Sequence, residues 1–297
     1  MHRSVLLQEV VEQLAIQPTD IVVDATFGAG GHSSEIARHL DSKGALIGLD
    51  VDAAALARGE EVLKDVAPAV HLVRENFRNV DKVLDELDIK KVDVVLFDLG
   101  YSSTQLETGG RGLSFQKNEP LLMTLSSEVE EGTLTAREIV NEWTEEQIAT
   151  ILHGYGEERF SRRIARAVVA ARAETPIETT KDLVEIISHA VPGWYRHRRI
   201  SPATKTFQAL RITVNDELDA ITEGLEGAYR HLAPGGRIAV ITFHSIEDRV
   251  VKRVFRGWKE RGFGEQVPKK PTVPSREEIA GNPRARSAKL RTFRKEE

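Results

Sequence analysis

The chain has 297 residues, 40% hydrophobic and 29% charged, with a formal net charge of −5 and no cysteine. That length buries a substantial core, in one large domain or two ordinary ones. The absence of cysteine excludes disulfides, thiolate nucleophiles, cysteine-ligated zinc and cysteine-held iron–sulfur clusters, and no apolar run approaches the ~20 residues that span a bilayer.

The first segment, "MHRSVLLQEVVEQL", sets Glu9 and Glu12 within an apolar pattern and reads as a folded helix rather than a signal peptide, so a cytoplasmic location is expected. Strand and helix signals then alternate, the pattern of a parallel α/β sheet. The strands are expected at 20–27, 45–52, 69–76 and 92–100, with helical stretches between them. A fifth follows the turn residues of "LAPGGRIAVITFHS", 232–245. A helix is expected ahead of it, from the spacing of Phe207, Leu210, Val214, Leu218, Ile221, Leu225, Ala228 and Leu232.

The gap from Asp98 to the fifth strand at 232 is far longer than one crossover helix needs. Residues 133–192 read almost entirely as helix, with a capping box at Thr144-x-x-Gln147. The expected organisation is therefore a discontinuous sheet domain, 1–109 and 206–297, interrupted by a helical domain at 110–205. The Pro-rich stretch 263–275 reads as an irregular surface loop.

Charge is unevenly spread. Residues 159–172 hold five arginines and no acid; residues 194–211 hold five Lys/Arg and 284–295 hold six, again without acid. Three such runs in a slightly acidic chain point to a polyanion, nucleic acid above all. Glu157 and Glu158 beside Arg159, Arg162 and Arg163 read as a charged helix face whose arginines reach phosphates. "HSIED", 244–248, reads as a strand end and a helix cap.

Two stretches carry chemistry. In "DATFGAGGHSSEIA", 24–37, a strand gives way to Gly28, Gly30 and Gly31 and opens a helix, where backbone can approach a ligand closely. Asp50, at the end of the second strand, is placed to accept from ribose hydroxyls. With Asp98 and Leu-x-Pro-Gly-Gly, this spacing resembles class I S-adenosylmethionine-dependent methyltransferases. Without cysteine, methyl transfer must go directly to nitrogen or oxygen by in-line displacement. In "VDVVLFDLGYSSTQLE", 92–107, a buried strand ends in Asp98 and Tyr101 follows three residues later. An acidic-x-x-aromatic loop suits an exocyclic amino group: the carboxylate accepts its proton and the ring stacks on the base. A turn-capping Asp98 with a core Tyr101 stays open at this point.

The segments "TFGAGGHS", "DLGYSSTQL", "RGLSF", "YGEERFSRRIARAV", "PATKTFQALRITVNDEL", "LAPGGRIAVITFHSIEDRVVKRVF" and "NPRARSAKLR" occur in the order of the RsmH/MraW family, and the resemblance covers nearly the whole chain. It implies a class I methyltransferase (Rossmann-like) sheet with an inserted helical domain. It also implies S-adenosyl-L-methionine as cofactor, and 16S ribosomal RNA within the small ribosomal subunit as partner, methylated on N4 of a cytidine in the decoding region. Its cofactor positions fall on Gly30, Gly31, His32, Asp50, Phe77, Asp98 and Gln105. Asp98, with Tyr101, Ser102 and Ser103, would frame the acceptor. The chain departs from the family at Tyr101 and Thr104, at Leu122 and Thr124 in "PLLMTL", where the family carries a carboxylate and a guanidinium, and at Ser201, where it carries a histidine. Those departures leave two rivals: the same fold acting on another base or on DNA, and a non-catalytic RNA-binding or assembly protein. No metal cluster is visible from residue spacing, and oligomeric state is not legible.

Overall fold

The computed structural model describes residues 4–100, 109–126 and 132–297. The chain divides into two compact units, Met1–Ser102 with Leu218–Glu297, and Ser103–Glu217. In the first unit, seven strands form one sheet: β1 (Ile21–Asp24), β2 (Ala45–Asp50), β3 (Ala69–Arg74), β4 (Val92–Asp98), β5 (Leu232–Thr242), β6 (Gly264–Gln266) and β7 (Lys289–Lys295). Their order is β3-β2-β1-β4-β5-β7-β6. β1 to β5 run parallel, and β7 is antiparallel to both neighbours. This is the Rossmann-like sheet of class I S-adenosylmethionine-dependent methyltransferases, with its switch in winding direction between β1 and β4.

The central strands are apolar on both faces because both faces are covered. Val23, Ile47, Val95, Phe97 and Val240 pack with Leu225, Phe255 and Trp258. Their alternates Val22, Leu46, Val94, Leu96 and Ile241 pack with Leu6, Val10 and Ile36. β3 has one sheet neighbour and is half exposed.

The C-terminal hairpin corrects two sequence expectations. Residues 264–266 form β6 rather than part of an irregular loop, and four of the six basic residues of the run 284–295 (Lys289, Arg291, Arg294 and Lys295) lie on a strand whose Leu290 and Phe293 are fully buried. The strand was hard to read because Arg291 is itself buried. Its Nε donates to Asp248 Oδ1 at 2.8 Å, while Lys289 Nζ donates to Asp248 Oδ2 at 3.0 Å. Burial would raise the Asp248 carboxyl, but these two cations outweigh it and hold the group below its ordinary value. Asp248 belongs to the helix Ser245–Glu260, which His244 and Glu247 open with a capping box, as the cap reading of "HSIED" expected.

The helix expected to run to Leu232 is two helices, Thr204–Asn215 and Glu217–His231, separated by Asp216 at φ 48°. The periodicity persists because Phe207 and Leu210 face the core of the second unit, while Ile221, Leu225 and Ala228 face that of the first.

The second unit is helical at Ala136–Glu142, Glu145–Gly154, Ser161–Glu174, Thr180–Ala190, Gly193–Arg196 and Thr204–Asn215. The Thr144–Gln147 capping box is present, joined by Thr135–Glu138 and Thr179–Asp182. Glu158 is not part of a charged surface: it is fully buried and accepts hydrogen bonds from the Tyr195 hydroxyl and the Phe160 N–H. Thr124 is also buried, its hydroxyl donating to the Ser126 carbonyl, and the Ser201 hydroxyl accepts from the Ala203 N–H. Leu122 is half-buried. Asp248→Ala strands the Arg291 guanidinium in a dry setting, so chemical denaturation should show a loss on the order of 3 kcal/mol; a loss near zero would mean the hairpin is held by its apolar residues alone.

Candidate functional site

The C-terminal ends of β1, β2 and β4 each carry a carboxylate: Asp24, Asp50 and Asp98. Each organises backbone around the turn that follows β1. Asp24, almost completely buried, accepts from the Ser33 hydroxyl at 2.6 Å and the Thr26 N–H at 3.2 Å. Asp50 accepts from the Gly28 N–H at 2.7 Å and the Asp52 N–H at 2.8 Å, one on each oxygen. A carboxylate has about four acceptor positions, so Asp50 keeps capacity for further donors. The Asp98 N–H donates to Thr26 Oγ1, tying β4 to the same turn. Burial raises the carboxyls of Asp24 and Asp50, against the hydrogen bonds they accept.

Under this turn lies Phe27, a residue that sequence reasoning passed over. It is 3% exposed, and three glycines converge on its ring. A Cβ at Gly30 would lie 2.9 Å from the ring and one at Gly48 would lie 2.6 Å from it, while one at Gly59 would overlap it. Gly30 also needs its freedom of conformation, at φ 73°. Gly31 is crowded differently, since a Cβ there would overlap the Ser4 hydroxyl. Phe27 therefore sets the height of the glycine turn above the sheet. The available signal was an aromatic residue immediately before a glycine-rich turn, with unexplained glycines at 48 and 59.

Asp98 and His32 meet beside the turn. The His32 ring is buried, with Nε2 3.0 Å from the Val5 carbonyl and Nδ1 3.4 Å from Asp98 Oδ2. A carbonyl only accepts, so Nε2 carries a proton. Both ring nitrogens thus face protein groups. Asp98 Oδ1 is buried and lacks a hydrogen-bond partner among the described residues. Burial pushes the Asp98 carboxyl up to about 6; His32 opposes the shift, and the Asp24 and Glu247 carboxylates add to it. A buried acceptor left open is costly unless a donor arrives to use it.

Phe77 follows β3, half-buried, with its ring edge-on to Phe97 at 5.8 Å. Gly30, Gly31, His32, Asp50 and Asp98 are thus gathered around one turn, and Phe77 packs against the adjoining core. Tyr101, Ser102, Ser103 and Gln105 lie outside the described residues. The residues present fit an adenosylated amino-acid cofactor: a glycine turn that admits close approach, Asp50 with open lone pairs, an apolar ring, and the unpartnered Asp98 oxygen.

Known proteins resemble this chain along its length. A profile of the MraW methylase family matches residues 1–296. A Symbiobacterium thermophilum protein called ribosomal RNA small subunit methyltransferase H is 47% identical, over 98% of this chain and 95% of that one. Its Clostridium botulinum namesake is 45% identical, over 99% and 98%. Among solved structures, an rRNA methylase from Streptococcus thermophilus aligns over 100% of this chain and 99% of its own, at 14% identity and a TM-score of 0.46. The chain belongs to the MraW methylase family.

Gly48→Ala forces the Phe27 ring and the Leu72 side chain apart, at a cost of about 1–3 kcal/mol. Calorimetry should find S-adenosylhomocysteine bound roughly tenfold more weakly, the equivalent of about 1.4 kcal/mol. Unchanged affinity would mean that Phe27 does not set the turn.

Proposed function

We propose that this chain transfers a methyl group from S-adenosyl-L-methionine to N4 of a cytidine in the decoding region of 16S ribosomal RNA, in the cytoplasm and on the small ribosomal subunit. The observation that carries the reading is Asp98: a carboxylate at the switch point of the sheet, beside a glycine turn, with one buried oxygen unpartnered among the described residues. The family membership and the names of the close relatives support the ribosomal RNA substrate. In this reading the inserted helical segment recognises the RNA.

Bound S-adenosylmethionine supplies an electrophilic methyl group on a sulfonium. Gly30 and Gly31 would bring backbone against it, Asp50 would accept from the ribose hydroxyls, Phe77 would flank the adenine, and Gln105 would bind the amino-acid end. The cytidine amino nitrogen is a poor nucleophile because its lone pair is delocalised into the ring. Asp98 Oδ1 would accept an N–H hydrogen bond, restore electron density on nitrogen and take the proton as the N–C bond forms and the methyl–sulfur bond breaks, the sulfur keeping that electron pair as a neutral thioether. Tyr101 stacks on the base, and Ser102 and Ser103 frame it. His32 acts through Asp98 rather than through its side chain on the cofactor, since both its ring nitrogens are engaged. The Val5 carbonyl fixes a proton on Nε2 and so turns Nδ1 toward Asp98, whose upward shift the ring opposes.

The test uses labelled methyl donor and small subunits from cells lacking their own cytosine N4 activity. Label should appear in N4-methylcytidine. Label in another nucleoside overturns the acceptor assignment, and donor binding without transfer favours the non-catalytic rival. Asp98→Asn keeps the size of the side chain but loses the base, and should slow transfer by about 10²–10⁴-fold. Because the Asp98 carboxyl is raised, it holds its proton to higher pH than an ordinary carboxyl. The transfer rate should therefore fall as pH drops through about 6. A flat profile from pH 5 to pH 7 (on the order of one unit either side of that value) would remove Asp98 as the base.

A further inference from the structure

Folding engages at least eight of the sixteen cations of the three acid-free runs. On β7, Lys289 and Arg291 pair with Asp248, Arg294 pairs with Glu265, and Lys295 reaches the carbonyls of Tyr229 and Leu232. In the helical unit, Arg166 pairs with Glu145 and Arg211 with Glu217, while Arg172 and Lys205 donate to the carbonyls of Val140 and Glu157. Among the described residues of the helical unit, the exposed Arg159, Arg162, Arg163, Arg198 and Arg199 have no ion pair. Two of these five stack on an aromatic cluster. Arg159 lies 5.1 Å from the Phe160 ring centroid and 5.3 Å from that of Trp194, and Arg198 lies 5.4 Å from that of Tyr195.

The cluster is rigid at its base and open at its top. Phe160, Trp194 and Tyr195 touch edge to face, with centroids 4.9 to 6.0 Å apart. Tyr195 is buried and its hydroxyl donates to Glu158 at 2.7 Å; burial, then this carboxylate, push the phenol up to about 12. Glu158, the acid at the base of the cluster, is thereby buried and engaged. Trp194 is 58% exposed. A guanidinium over an exposed indole is worth only about 0.5–1 kcal/mol, too little to explain leaving so large an apolar ring in water. An exposed ring beside unpaired arginines suits a ligand with a flat apolar face and a negative backbone.

We infer that Trp194 is a stacking platform for an unpaired base of the RNA substrate, with Arg159, Arg162, Arg163, Arg198 and Arg199 meeting the phosphates around it. This rests on the RNA-substrate reading above and adds the place of contact. Phosphate contacts position the strand, and the ring selects single-stranded over paired RNA because only an unpaired base offers its face.

Of the three tryptophans, Trp258 is buried and Trp143 half-buried, so indole fluorescence reports mainly on Trp194. The probes are oligouridylate of about twelve nucleotides and an RNA duplex of about the same length. Oligouridylate should quench the emission and the duplex should not. Trp194→Ala should bind oligouridylate about tenfold more weakly with an unchanged salt slope. Arg159→Ala should lower that slope by about one. Trp194→Phe, which keeps a stacking face, should restore most of the affinity lost in Trp194→Ala. Equal quenching by the duplex, or full affinity in Trp194→Ala, would overturn the platform and leave a phosphate grip only. These probes need no methyl donor. A protein that binds and quenches as expected but transfers no methyl group overturns the function proposed above and leaves the platform standing.

Discussion

The packing of Phe27 under a glycine turn is the constraint on which the site depends. Three backbone segments, at Gly30, Gly48 and Gly59, approach the ring closer than any Cβ would allow. The ring is held from the turn, from β2 and from the helix Ala53–Leu63 together. An apolar side chain locked in this way cannot shift without moving all three, because interiors are packed at crystal-like density. Close approach of backbone to a ligand is thus secured from beneath, by a residue that need not touch the ligand.

The carboxylates at the strand ends act on top of that seat, with divided labour. Asp24 is wholly internal, binding Ser33 and Thr26, whereas Asp50 combines a structural duty toward Gly28 and Asp52 with spare acceptor positions. Asp98 alone keeps a buried oxygen without a described partner. Three like charges near one turn raise the cost of ionising each, which burial compounds. His32 offsets part of this at Asp98, and its own orientation is fixed from the N-terminal segment through Val5.

Charge in the sequence was a poor guide to charge on the surface. Arg291 and Glu158 read as solvated residues, yet both are buried beside a partner distant in the chain. Linear composition cannot tell an arginine that pairs across a hairpin from one that faces water. The cations around Trp194 became distinguishable only after the pairs elsewhere were assigned.

Local pattern was enough for the alternation of strands and helices, the glycine turn, the capping box at Thr144 and the family itself, since each depends on neighbours within a few residues or on a contiguous motif. The break at Asp216, the strand at 289–295 and the role of Phe27 were not legible there. In each, the deciding contact joins segments far apart in the chain: two separate cores claim the two halves of one periodic pattern, Asp248 buries the charges of β7, and Gly48 and Gly59, distant from Phe27 in the chain, shape the cradle of its ring. Sequence alone determined which chemistry the residues could perform. Tertiary packing decided which of them hold the site in shape and which one is left open to react, because burial and pairing are properties of position in space rather than of residue type.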